Sequence, residues 1–380
     1  MRVVRIAWLP FRMPYVVPFS TAHGSEQERC GAIVRVTTND GWVGLGEAAP
    51  LVAFGGGTLD DTLARIAELA ARIVGRDLDA ALGLLDRLDY AAAGMSAAAC
   101  GFDTALLDVK AQAAGLPLAQ LLLAGAASAV PVNATVGALD TDAACRAAGQ
   151  AVQAGILCVK LKVGVLGTRG AELARIAAVR ATIGADIHLR IDANAAWDVP
   201  EAIAIIRAAE RYQLELVEQP VAADDLAGMA LVRAAVHTPI AADEAVGGPE
   251  QAARVIAAAA ADVLVIKPMM AGGLRRARAI IAQAQLAGLA TFVTTTIDTG
   301  VGVAAALHLA ATLPMPLACG LATGPLLVGD LLIQPIVVRN GALYVPEQPG
   351  LGVYIDERQV ALYASGWQEV AADTEPFSAL

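Results

Sequence analysis

The sequence predicts a parallel (β/α) barrel preceded by an α+β domain. Three observations predict it. From about residue 130, eight apolar strand-like runs follow one another, most of them separated by alanine-rich helical segments. Residues 1–124 show strands first and helices after, without alternation, which marks an α+β unit. Finally, Lys162, Asp192, Glu218, Asp243 and Lys267 each end or directly follow a short apolar run, at successive intervals of 30, 26, 25 and 24 residues. Each interval holds one strand, one helix and two loops, so a barrel would carry one charged group per repeat at the carboxyl end of its strands.

The elements follow in order. VVRIAWLPF, AIVRVTT and WVGLGEA are rich in β-formers, and Asn39-Asp40-Gly41 is a hairpin turn between the second and third. DDTLARIAELAARIV and SAAACGFDTALLDVKAQAAG carry apolar residues at helical spacing. The eight barrel runs are VPVNATVG, CVKLKVG, IHLRIDAN, LELVEQP, PIAADEA, DVLVIKP, ATFVTTTI and LACGLATG. Asp198-Val199-Pro200-Glu201 reads as a helix start, with an N-cap, a first-turn proline and a glutamate three residues on. PIVVRNGALYV then returns to strands and turns. The expected division is an α+β capping domain at 1–125, the barrel at 126–335, and a final segment at 336–380 that packs back on the first domain.

Composition excludes several classes. Hydrophobic residues make up 57% and the mean hydropathy is +0.57, which raises the question of a membrane. The longest stretch without Asp, Glu, Lys or Arg, residues 299–329, is broken by glycines and prolines. Its apolar helix, at 301–313, is shorter than the ~20 residues a bilayer requires. The opening MRVVRIAWLPFRMP has no long apolar core, so no signal peptide is expected. The net charge of −10 and pI near 4.9, with no basic stripe, exclude nucleic acid as a partner. Five scattered cysteines without a CxxC pair suit reduced thiols in a cytoplasm.

Asp192, Glu218 and Asp243 would end the third, fourth and fifth barrel strands, close enough to converge because strand neighbours lie ~4.8 Å apart. A lone strand-end carboxylate is usually solvated or ion-paired. Three in successive repeats, with no His or Cys among them, point to a hard cation, Mg²⁺ or Mn²⁺. Lys160 and Lys162 lie two apart and face the same side of the second strand. Lys267 closes the sixth strand, across the mouth. Two lysines on opposite faces of one carbon can remove a proton from one side and return it from the other, the geometry of racemisation or epimerisation. Ion pairing with the carboxylates is the plainer role open to Lys160 and Lys267.

These residues resemble the enolase superfamily, in its muconate lactonizing subgroup. The resemblance runs through KLKVG (160–164), DANAAW (192–197), VEQP (217–220), ADEAV (242–246), IKPMMAGG (266–273) and IDTGVGVAAALHLAA (297–311). It extends to PFSTAHG (18–24) and GWVGLGEAAPL (41–51), and so covers nearly the whole chain. It implies a (β/α)7β-type TIM barrel under a capping domain. It implies one Mg²⁺ per subunit on Asp192, Glu218 and Asp243, with Lys162 and Lys267 as the acid/base pair and an enediolate between the two proton transfers. Lys160 would help neutralise the substrate carboxylate, with Asn194 and Glu244 behind the ligands. The partner is a small molecule, and a homo-oligomer is expected.

Within the subgroup the chain looks most like dipeptide epimerases, whose capping loops, here near 19–25 and 51–58, choose the substrate side chain. Phe19 and Ile297 belong to the expected lining. Ala-Glu epimerases grip the dipeptide's ammonium with an Asp-x-Asp; here Leu321 and Thr323 stand there. Their capping loop carries an Arg for the substrate glutamate; here Gly24 stands there. Asp298 replaces the usual Glu and is a candidate for holding the ammonium. A site without that cation should take a hydrophobic or aromatic side chain rather than an acidic one. The expected activity is epimerisation of L,L-dipeptides at the C-terminal residue. N-acylamino-acid racemisation or o-succinylbenzoate synthesis is the alternative, followed by muconate-type cycloisomerisation. Weaker signals have plain readings. Gly55-Gly56-Gly57 beside Phe54 reads as a mobile lid or a turn, and His308 on its apolar helix as a core histidine.

Overall fold

The computed structural model of the chain describes residues 1–21, 24–137, 140–314 and 317–372. Strands β1 (Val3–Thr21), β2 (Gly24–Thr38) and β3 (Val43–Ala48) form an antiparallel sheet. The β2–β3 turn closes at Gly41, whose φ of 85° suits a residue without Cβ. Helices α1 (Leu59–Ile73), α2 (Leu78–Leu85), α3 (Met95–Ala113) and α4 (Leu118–Leu122) follow. Thr58 and Asp61 cap α1 reciprocally, each side chain accepting from the other's backbone N–H. Helix α3 lies almost in backbone contact with β3. A Cβ at Gly44 or Gly46 would come within 2.0 Å of the carbonyl oxygen of Ala105 or Gly101. Glycine at alternate strand positions thus meets small residues one helical turn apart.

Next come β4 (Ala129–Pro131), β5 (Ala134–Val136), α5 (Thr141–Gln153), β6 (Cys158–Lys162), α6 (Arg169–Ile183), β7 (His188–Asp192), α7 (Val199–Ala209) and β8 (Leu214–Glu218). The alternation continues with α8 (Leu226–Ala235), β9 (Ile240–Ala242), α9 (Pro249–Ala257), β10 (Val263–Ile266), α10 (Pro268–Ala271), α11 (Leu274–Leu286), β11 (Ala290–Val293) and α12 (Gly300–Ala310). Strands β5 to β11 form one parallel sheet in sequence order. Cys319 bridges Val132 and Gly320 bridges Thr294, both in parallel sense, which closes the sheet into a barrel. Asp198 caps α7 as its sequence signals, its Oδ1 accepting from Glu201 N–H at 2.8 Å.

Two of the eight expected strands differ from their sequence reading. VPVNATVG splits: β4 leaves the barrel to pair antiparallel with β12 (Ala342–Tyr344), and β5 alone joins the parallel sheet. The partner changes beside Pro131, which has no N–H to donate to a ladder. LACGLATG shrinks to Cys319 and Gly320, where a Cβ on Gly320 would lie 2.3 Å from Thr294 Oγ1. The tail also contains a helix, α13 (Glu357–Tyr363), where strands and turns were expected; Asp356 starts it by accepting from Arg358 N–H at 2.9 Å. Strand β13 (Gln368–Ala371) then pairs antiparallel with β1, on the outer edge of the first sheet.

Every residue of α12 is buried, and among the described residues no helix is long and apolar enough to cross a membrane. His308 is a satisfied core histidine on that helix. Its Nδ1 accepts from Ala119 N–H at 3.0 Å, so Nε2 carries the proton and donates to Leu351 O at 3.1 Å. Burial pushes its pKa down from 6.5 to about 4. Between those values the unfolded chain binds a proton that the folded chain refuses. Stability from this residue is therefore complete above pH 6.5 and is lost as pH falls towards 4, by up to about 3 kcal/mol. Denaturant midpoints at pH 7 and pH 4.5 should show a smaller drop for His308→Gln than for the wild type. Equal drops would refute the assignment.

Candidate active site

The parallel register delivers the site. Lys162 stands beside Asp192, and Asp192 beside Glu218, as direct Cα partners on β6, β7 and β8. Asp243 follows β9 and Lys267 follows β10. All five are buried, as is Lys160. One oxygen from each of Asp192, Glu218 and Asp243 lies within 4.8 Å of the others.

The lysines knit the carboxylates together. Lys160 Nζ donates to Asp192 Oδ2 at 3.0 Å and to Glu218 Oε1 at 2.8 Å. Lys162 Nζ donates to Asp192 Oδ2 at 2.6 Å and to Asn194 Oδ1 at 2.8 Å, and Asn194 Nδ2 donates to Glu244 Oε1 at 2.9 Å. Lys267 Nζ donates to Asp243 Oδ2 at 2.6 Å and lies 3.8 Å from the centroid of the Phe54 ring.

The trio fits a hard cation. Glu218 Oε2 and Asp243 Oδ1 are buried and, among the described residues, accept no hydrogen bond. Orphaned carboxylate oxygens in a buried site are costly unless a cation takes them, and an all-oxygen donor set is what Mg²⁺ binds. The electrostatics agree. Burial, then the Asp192 charge, pushes Glu218 up to about 8, and burial likewise raises Asp243 despite Lys267. Burial alone would raise Asp192 as well, but Lys160 and Lys162 together hold it below the usual carboxylate range. Burial would pull Lys160 down, yet Asp192, Glu218 and Asp243 outweigh it and keep its pKa above the ordinary lysine value. Burial and the crowding of carboxylates thus disfavour the ionised forms of Glu218 and Asp243, which is the condition a bound cation relieves.

The expected substrate-lining residues divide. Ile297, Asp298, Leu321 and Thr323 are all buried in the segments that follow β11 and the Cys319–Gly320 bridge. Ile297 adopts a φ of 62°, a left-handed conformation that a β-branched residue takes only under constraint. Thr323 Oγ1 lies 2.9 Å from Thr295 Oγ1, so this part of the rim is neutral. Asp298 is already engaged: its Oδ1 accepts from Thr296 Oγ1 at 2.6 Å and lies 3.7 Å from Arg29. An ammonium at Asp298 would have to compete with that guanidinium. Phe19 and Gly24 fall at the far end of the β1–β2 hairpin, opposite Glu26 and Thr21, and their side-chain positions lie outside the described residues.

Three groups escaped the sequence reading. Arg29, buried on β2, donates to the carbonyls of Ala49 and Pro50 and to Thr296 Oγ1 at 2.9 Å. Glu47, on β3, accepts from Thr299 N–H at 2.9 Å, Thr299 Oγ1 at 2.6 Å and Gly302 N–H at 2.8 Å. It therefore caps α12 from the other domain. Burial, then Asp298, pushes Glu47 up to about 7. Gln219, with φ 37°, follows the fourth barrel strand and accepts from the backbone N–H groups of Asp243 and Ala245 at 3.0 and 3.3 Å, locking Asp243 in place.

Comparison with known proteins extends this geometry. The family model described as "Mandelate racemase / muconate lactonizing enzyme, N-terminal domain" matches residues 5–123, and "Enolase C-terminal domain-like" matches residues 143–359. The chain is 34% identical over 356 residues to an L-Ala-D/L-Glu epimerase of Bacillus subtilis, covering 93% of this chain and 97% of that one. It is also 34% identical over 342 residues to a hydrophobic dipeptide epimerase of Enterococcus faecalis, covering 88% and 94%. The crystal structure of a dipeptide epimerase from Enterococcus faecalis, complexed with Mg and the dipeptide L-Leu-L-Tyr, superposes with a TM-score of 0.87 at 31% identity, over 93% of this chain and 99% of that one.

Proposed function

The chain belongs to the mandelate racemase and muconate lactonizing branch of the enolase superfamily and is an isomerase, and on that premise we propose that it epimerises hydrophobic L,L-dipeptides at the α-carbon of the C-terminal residue. The observation that carries this reading is the placement of Lys162 and Lys267 on the second and sixth barrel strands, on opposite sides of the carboxylate trio. One lysine takes the α-proton at its Nζ, leaving the bonding pair on the substrate, and the other delivers a proton to the opposite face. Asp192, Glu218 and Asp243 would hold one Mg²⁺ per subunit, which when bound supplies fixed positive charge towards the substrate carboxylate. Lys160 adds a second positive charge beside them. Asn194 fixes Lys162, and Gln219 fixes the backbone of Asp243. Ile297 and Leu321 give the lining an apolar character, and Arg29 is taken up by its own partners rather than offered to an acidic side chain.

One observation favours a second reading. Asp298 is engaged by Arg29 and Thr296, and Leu321 and Thr323 carry no charge, so the rim suits an acylated nitrogen as well as a free ammonium. That is the substrate of an N-acylamino-acid racemase. A library of L,L-dipeptides and N-acetyl amino acids incubated in D₂O with Mg²⁺ separates the two. Deuterium is expected at the C-terminal α-carbon of hydrophobic dipeptides, lost on chelation and restored by Mg²⁺. Incorporation confined to the N-acetyl amino acids would select the second reading, and none in either set would sink both.

A further inference from the structure

The two lysines are held in different ways. Lys162 rests on two side-chain oxygens from β7 and the loop after it, Asp192 Oδ2 and Asn194 Oδ1. Among the described residues Lys267 has one hydrogen-bonded partner of that kind, Asp243 Oδ2, and its ammonium also lies against the Phe54 ring. Phe54 does not belong to the barrel. It ends a 3₁₀ turn, Val52–Phe54, in the first domain, and Gly55 closes that turn with a φ of 72°.

The turn is moored on both sides of the lysine. Its internal bonds run from Phe54 and Gly56 N–H to Leu51 O, each at 3.1 Å. Its stem is gripped by Arg29, which binds the carbonyls of Ala49 and Pro50 and reaches Thr296 beyond the seventh barrel strand. Ala49 N–H also points at Met269 Sδ, 3.2 Å away and two residues past Lys267. The moored turn thus sets the ring against the ammonium, and an aromatic face attracts a cation and restricts where it sits.

We propose that Phe54 is a positioning residue for Lys267 alone, so that proton transfer at one face of the substrate depends on the capping domain and transfer at the other does not. This rests on the two-lysine reading of the reaction. Each epimer presents its α-hydrogen to one lysine. Loss of the ring should then impair removal and return of a proton by Lys267 and leave the same exchange at Lys162 untouched. Epimerisation slows equally in both directions, as the equilibrium constant requires, but exchange with retention of configuration becomes one-sided.

The test uses the Mg²⁺-loaded protein in D₂O with L-Ala-L-Phe and L-Ala-D-Phe, and with N-acetyl-L- and N-acetyl-D-phenylalanine as a second pair. In Phe54→Leu, exchange with retention is expected to fall by about tenfold for one epimer and less than twofold for the other. Phe54→Tyr should restore it, and both variants should melt with the wild type. In a Lys267→Ala background, Phe54→Leu should cause no further loss of the exchange that remains. Equal slowing of both epimers would make Phe54 a wall of the substrate pocket and overturn the proposal, as would no change at all. If the wild type exchanges neither pair, the reading of the reaction fails first and the proposal falls with it.

Discussion

Lys162→Ala is expected to lower epimerisation by about two to four orders of magnitude while leaving one epimer able to exchange its α-hydrogen with solvent. The asymmetry follows from the strand positions. On the proposed reading Lys162 and Lys267 stand on opposite sides of Asp192, Glu218 and Asp243, so neither would substitute for the other on the far face. Lys267→Ala should show the mirror result, with exchange retained by the other epimer. Proton NMR in D₂O reads both quantities at once, since loss of the α-proton signal reports exchange and the new diastereomer reports inversion. Inversion surviving in either variant would remove that lysine from the reaction. Loss of all exchange in both variants would mean that the two act as a unit.

The second large effect is structural. Arg29→Met is expected to destabilise the protein by about 3–5 kcal/mol, the usual cost of leaving a buried carboxylate without its cation. Arg29 faces Asp298 at 3.7 Å, binds Thr296, and holds the carbonyls of Ala49 and Pro50. Methionine keeps much of the volume and supplies none of those donors. The denaturant midpoint measures the loss. Arg29→Met combined with Asp298→Asn should recover part of it, because the stranded charge is then gone. A loss below about 1 kcal/mol would show that solvent or Thr296 already satisfies Asp298, contrary to its burial.

What the sequence makes plain, and what it hides, divides along chain distance. The five strand-end charges could be read because a barrel repeats. Once β6 places Lys162 at the mouth, the same spacing places Asp192, Glu218, Asp243 and Lys267 there in turn. Lys160 followed from strand parity. Arg29 and Glu47 carry no such signal. Their partners Thr296 and Thr299 lie 267 and 252 residues away, and no local pattern distinguishes a buried arginine on a strand from an exposed one. Phe54 could be noticed beside its glycines, but the ring's position over Lys267 depends on how two domains dock. Gln219 stands in a VEQP motif that gives it no role, since its bond to the Asp243 backbone exists only after β8 and β9 pair. The eighth barrel strand was overestimated because apolar content predicts burial, whereas ladder length is set by what the edge residues can approach.

The pairing of β13 with β1 has a consequence for how the chain is made. Residues 5–8 lie at the edge of the first sheet, and Gln368–Ala371 cover them. A ribosome emits that edge before the barrel and its cover only after it. Throughout synthesis the first sheet therefore presents an open row of backbone donors and acceptors, flanked by Trp8, whose indole also waits for Gln368. Such an edge invites pairing with another nascent chain. Strand β13 thus acts less as decoration on a finished fold than as the step that ends its exposure to self-association.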